Sequence, residues 1–179
     1  MKSLLSFSML ALLAVFFFAC NQPQGEKAVT GDAVEETMGT ATDTYALVNI
    51  DESFIEWKGT KPTGEHFGTV NIKEGKLDLQ EGKIIGGVIL IDFQTIKVLD
   101  LEDPDKNAQL LGHLKSPDFF SVDSFPDGTF TLVKLEEITG TLEPVEATGE
   151  MIPTHYATGN LQMKGITRSV TFPVEISED

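Results

Sequence analysis

Between Phe54 and Ile176 the chain alternates apolar and polar residues in short runs broken by turn signals, a pattern that suits β-strands with one dry face. Ser53, Ile55, Trp57 and Gly59 alternate with Phe54, Glu56 and Lys58. Val70 and Ile72 alternate with Asn71 and Lys73, Leu77 and Leu79 with Lys76, Asp78 and Gln80, and Leu161 and Met163 with Gln162 and Lys164. In the last run Val170, Phe172, Val174 and Ile176 share a side, and Pro173, which cannot donate a ladder hydrogen bond, predicts an edge or a bulge. Thr129 to Leu135 is a further β-branched and aromatic run, while Ile84 to Phe93 is apolar nearly throughout and carries Gly86-Gly87, as expected where a strand bends sharply. Pro62-Thr63-Gly64, Glu74-Gly75, Glu81-Gly82, Pro126-Asp127-Gly128, Thr139-Gly140 and Lys164-Gly165 supply the turns. About seven or eight strands with such short links describe an antiparallel meander, whose edges are best removed by closure into a barrel.

One segment departs from the alternation. Leu110, Leu111 and Leu114 recur at helical spacing within Lys106 to Leu114, with Asp103 or Asp105 as the cap, and Ser116-Pro117-Asp118 then predicts a one-turn helix carrying Phe119 and Phe120. The expected architecture is all-β, with this short helix and one-turn helix in a single connection. The two phenylalanines serve there either as a hydrophobic lid completing the core or as ligand contacts at an entrance.

The N-terminus follows a different logic. Lys2 precedes an apolar stretch from Leu4 to Phe18, and Phe17-Phe18-Ala19-Cys20 ends it with a small residue before the chain's one cysteine. This is the layout of a secretory signal peptide. The four-residue ending resembles a bacterial lipobox, which implies cleavage before Cys20 and acylation there, as by palmitate. Two or three acyl chains anchor a protein stably to a membrane. The expected division is a lipoprotein signal peptide over 1–19, a lipidated cysteine and flexible tether over 20–44, poor in large apolar residues, and a folded domain over 45–179. Asn21 is not the aspartate associated with inner-membrane retention, so the expected location is the bacterial cell envelope at the outer membrane, on its periplasmic or surface face. With 13 Lys and Arg against 28 Asp and Glu, the net charge of −15 repels phosphate backbones, so nucleic acid is excluded as a partner.

His113-Leu114-Lys115-Ser116-Pro117-Asp118-Phe119-Phe120, followed by Phe125-Pro126, is similar to the signature of the YceI-like family. Trp57-Lys58-Gly59, Gly64-Glu65-His66-Phe67-Gly68, Gly75-Lys76-Leu77, Ile91-Asp92 with Thr95-Ile96, and Gly159 to Thr167 fall in the family's order around it. The resemblance implies a lipocalin-like, eight-stranded antiparallel barrel whose apolar pore holds a polyisoprenoid chain, such as the tail of an isoprenoid quinone. A barrel of that size either fills its interior with side chains or holds one small ligand. For a bound chain, the expected path is lined by Ile55, Trp57, Val70, Ile72, Val88, Leu90, Phe130, Leu132, Leu161, Met163, Val170 and Phe172, with Phe119 and Phe120 at the entrance. Each of these has core packing as its competing role, and a slip of one residue in strand phase would exchange the faces.

No catalytic constellation emerges. The chain has no Gly-x-Ser-x-Gly elbow and no glycine-rich phosphate loop, and adjacent Lys115 and Ser116 do not naturally face each other. Its three histidines, His66, His113 and His155, lack metal-ligand spacing. The expectation is a non-enzymatic, membrane-tethered binder of a polyisoprenoid or other apolar lipid, monomeric or homodimeric, for storage or transport, without a cofactor beyond a bound isoprenoid or quinone. The alternative is a filled-barrel envelope stress or interaction module without ligand.

Overall fold

The computed structural model describes residues 28–36, 44–139 and 153–177. The predicted signal peptide and Cys20 lie outside the described residues, as does Gly140 of the Thr139-Gly140 turn. Eight antiparallel strands form one sheet: β1 (Val29–Asp32), β2 (Thr44–Leu47), β3 (Phe54–Lys61), β4 (Gly64–Gln80), β5 (Lys83–Val98), β6 (Asp127–Glu137), β7 (His155–Met163) and β8 (Ile166–Val174). One helix, α1 (Pro104–Lys115), lies between β5 and β6.

The ladder runs β1-β8-β7-β6-β5-β4-β2, with β3 also paired to β4. The 17-residue β4 is long enough to hold β3 against its first half and β2 against its second. Among the described residues no ladder joins β1 to β2 or β3, so hydrogen bonding does not close the sheet into a barrel. It nevertheless curls: Ile55 and Trp57 of β3 and Leu161 and Met163 of β7 pack on one common core, although β4, β5 and β6 separate them in the ladder. Four inter-strand spacings amount to roughly 19 Å, too far for side chains to meet across a flat sheet.

Turn chemistry fixes the hairpins as the sequence predicts. Glu81-Gly82 and Lys164-Gly165 both have positive φ at each residue (51° and 79°, 51° and 73°), the two-residue geometry that matches strand twist and favours glycine at its second position. Asp103 caps α1, its carboxylate accepting from the N–H groups of Asp105 and Lys106, with Pro104 in the first turn.

Three expectations are corrected. Val29–Asp32, read from composition as flexible tether, is a strand paired to Arg168–Thr171 of β8. Asn160 explains why it stays: its buried amide accepts from Val34 N (2.9 Å) and donates to Val34 O (2.8 Å), gripping the backbone as a neighbouring strand would. Second, Pro117–Phe120 is a turn, not a one-turn helix. Phe120 N donates to Leu114 O and Ser121 N to Ser116 O, and Ser121 adopts a left-handed φ of 52°, which reverses the chain before a helix can propagate.

The third correction is the phase of β5. Val88 and Leu90 were expected inside, but Gly87, Ile89 and Ile91 face in, with Val88 46 % exposed and Leu90 beside Glu74 on the outer face. An unbroken apolar run carries no alternation from which to read a phase. The β4–β5 ladder sets it instead, through three register shifts and through Gly87, where a Cβ would stand 2.6 Å from Lys76 O.

Candidate functional site

Inside the curl the inner face has two different halves. Near α1, Val70, Ile91, Phe93, Ile96, Val98, Leu114 and Val122 form a buried core. Ile55 and Trp57 pack against it, and the Trp57 indole N–H donates to Lys97 O at 3.1 Å, which fixes the ring as packing. Ile72 is half-buried opposite Ile91 in the ladder. Three of the expected pore residues, Ile55, Trp57 and Val70, therefore belong to this filled half.

Apart from Ile72, the remaining inward candidates line two spaces. Phe119, Phe120, Leu161, Met163 and Val170 line a groove of about 860 Å³. Phe130, Leu132 and Phe172 line a smaller cavity of about 190 Å³ whose walls are otherwise Leu77, Ile84, Gly87, Ile89, Leu135, Ala157, Val174 and Ile176. The two adjoin along the strands, since Phe130 pairs with Leu161 and Val170 lies two residues before Phe172 on β8. The Phe130 and Phe172 rings, 5.6 Å apart, stand where one space gives way to the other.

Gly159 makes room for that ring pair. A Cβ there would stand 2.4 Å from Thr131 O and 2.5 Å from the Phe130 ring, so the ring approaches this strand only over a glycine. Gly128 stands in the same relation to Phe93, at 2.7 Å. Aromatic cover over a strand glycine restores packing that the missing side chain would have supplied.

The turn after α1 places the two phenylalanines differently. Phe120 stacks on Phe93 at 4.8 Å and joins the core, whereas Phe119 meets Phe120 edge-on at 4.7 Å and remains 47 % exposed at the groove. Lys164, at the tip of the β7–β8 hairpin, donates to Pro117 O (2.5 Å) and Phe119 O (3.2 Å) and ties the turn to the hairpin.

Sequence reasoning missed the groove's polar end. Thr30, Gly31 and Asp32 of β1 line it, with Asp118, Lys164 and Arg168. Arg168 shares the inner face with Val170 and Phe172 by strand alternation, and donates to Asp32 Oδ1 at 2.7 Å. The signal was available: Arg168 is the chain's only arginine, and it occupies the inward register of the clearest alternating strand.

The histidines do different work. His66 Nδ1 lies 2.7 Å from Asp100 Oδ2, while Phe67 N donates to Asp100 Oδ1 at 3.0 Å. Burial pushes the Asp100 carboxyl up, but the His66 and backbone N–H hydrogen bonds outweigh it together and hold the group below its ordinary value. This joint ties β4 to the approach of α1. His113 ends α1 with its carbonyl accepting from Ser116, and His155 contacts Thr154. Among the described residues no three His, Cys, Asp or Glu side chains are placed to hold one metal ion.

No curated protein matches the chain. The YceI-like domain family matches residues 45–179. That match takes in the helix-capped core, both apolar spaces and every strand from β3 to β8, leaving out β1 and the first residue of β2, and the chain belongs to the YceI-like family.

Proposed function

We propose that this protein is a membrane-anchored lipoprotein that binds a polyisoprenoid or isoprenoid-quinone amphiphile along the groove and the adjoining cavity, for storage or transport in the cell envelope. The observation that carries this reading is the apolar track from Phe119 and Met163 past Leu161 and Val170 to Phe130 and Phe172, which the described side chains line without filling. Membership of the YceI-like family supports it. A bound chain would complete the curl as the interior of a barrel, bridging walls that no ladder joins. Burial of each methylene contributes about 0.8 kcal/mol, so a few isoprene units suffice for useful affinity. No chemistry is required of the site, and the protein acts by removing apolar surface from water. Cys20 carries the anchor and places the groove at an outer-membrane surface.

Mass spectrometry of an organic extract from the full protein, purified from its own membrane, tests the binding. A stoichiometric isoprenoid that falls in Phe130→Ala is the expected result. An empty extract from a folded protein would favour the module without ligand. Cys20→Ser separates the anchor from the binding: the variant is expected to leave the membrane fraction, and its retention there would overturn the lipoprotein assignment.

A further inference from the structure

Resting on the amphiphile reading, we propose that the groove selects a ligand with an oxyanion headgroup, a carboxylate or phosphate monoester, which Arg168 receives at the groove's polar end. A wholly apolar molecule would need no charged group on the inner face. Yet the one arginine of a chain with net charge −15 stands at the rim of that face, 60 % exposed, in line with Val170 and Phe172 and at the open side of Leu161 and Met163. Guanidinium presents a planar fork of five donors that suits carboxylate and phosphate oxygens two at a time, a fit that lysine lacks.

Among the described residues Asp32 is the only partner of Arg168 and takes a single hydrogen bond. The Asp32 side chain is 97 % exposed, so solvent screens the pair and Asp32 is a placeholder that a ligand oxyanion can displace. Lys164 adds positive charge near the same rim while its ammonium remains engaged with the Pro117 and Phe119 carbonyls. The carboxylates of Asp32 and Asp118 also line the groove, so an entering oxyanion competes with Asp32 for the guanidinium. β1, which brings Asp32 to Arg168, lies outside the family match.

Titration calorimetry of the full chain with farnesyl monophosphate, farnesoic acid, farnesol and farnesylamine tests this with one tail and four heads. An oxyanion is expected to bind about ten-fold more tightly than farnesol, the gain of one charge-assisted hydrogen bond. Whichever of the acid and the phosphate binds better identifies the source of the oxyanion. Arg168→Gln is expected to erase the preference and leave farnesol within about two-fold, Arg168→Lys to keep part of it, and Asp32→Asn to raise oxyanion affinity a few-fold by removing the competing carboxylate. Equal binding of acid and alcohol, or tightest binding of farnesylamine, overturns the headgroup inference and leaves the apolar track intact. Should Arg168→Gln lose farnesol as well, the Arg168→Lys ratio decides, and an unchanged preference in it overturns the role of the guanidinium fork. Failure of all four ligands to bind overturns the amphiphile reading itself.

Discussion

The two halves of the inner face are built from the same alternating strands yet reach different ends. Beside α1, residues from β4 and β5 are sealed by Leu110, Leu111 and Leu114 of the helix and by the Phe93–Phe120 stack. Away from it, Leu77, Ile84, Leu132, Phe172 and Val174 are only half-buried around open space. A strand supplies one side chain to a given face every two residues, or about 7 Å, and a curled sheet leaves its centre for something else to fill. In the first half a helix contributes those atoms. Among the described residues the second half has no such insert, and the proposed ligand belongs there.

The sharpest way to break this contrast is Leu114→Ala, which removes the most deeply placed helix side chain, 5 % exposed. The expected loss is about 2–5 kcal/mol in chemical denaturation, as for a core truncation that leaves a cavity. A small loss would mean that α1 is not what seals the first half. Gly159→Ala probes the boundary between the halves: the added methyl meets the Thr131 carbonyl oxygen as well as the Phe130 ring, so strand and ring must both shift, with an expected cost of about 1–3 kcal/mol and reduced ligand capture. Thermal unfolding with and without an extracted lipid would separate those two effects.

Asp100→Asn examines the joint that leads into α1. Loss of a charge-assisted bond to His66 is expected to cost about 1–3 kcal/mol near neutral pH. The sign of its pH dependence follows from the lowered carboxyl. A depressed folded-state value contributes stability above the ordinary carboxylate range of about 4, and that stability fades as pH falls through the folded value. Wild type and variant should therefore converge in acid, and a gap that stays constant to low pH would refute the link. The smallest effect is expected from Phe172→Ala without ligand, about 1 kcal/mol, because the half-buried ring has less to lose. A loss as large as that of Leu114→Ala would erase the distinction between the halves.

Much of this contrast was legible beforehand, for local reasons. Strand alternation at Ile55–Trp57 and Val170–Phe172, the two-residue turns at Gly82 and Gly165, and the Asp103 cap each depend on a few neighbouring residues. The groove was legible in its apolar wall, Leu161, Met163 and Val170, but not in its polar end. Arg168 stands on the apolar register of β8 as a lone exception, but only the arrival of β1 beside it places Asp32 within bonding distance.

By itself, then, the sequence determined that the chain would be a set of antiparallel strands with one helical interruption, because backbone geometry ties side-chain direction to a period of two and turn residues to a few φ values. Tertiary structure alone decided the facing of Val88 and Leu90, the division of Phe119 from Phe120, the capture of Val34 by Asn160 and the charge at the groove's end. Those outcomes depend on which distant strand edges meet. An apolar run, a pair of phenylalanines or a polar segment reads the same along the chain whichever partner it finds.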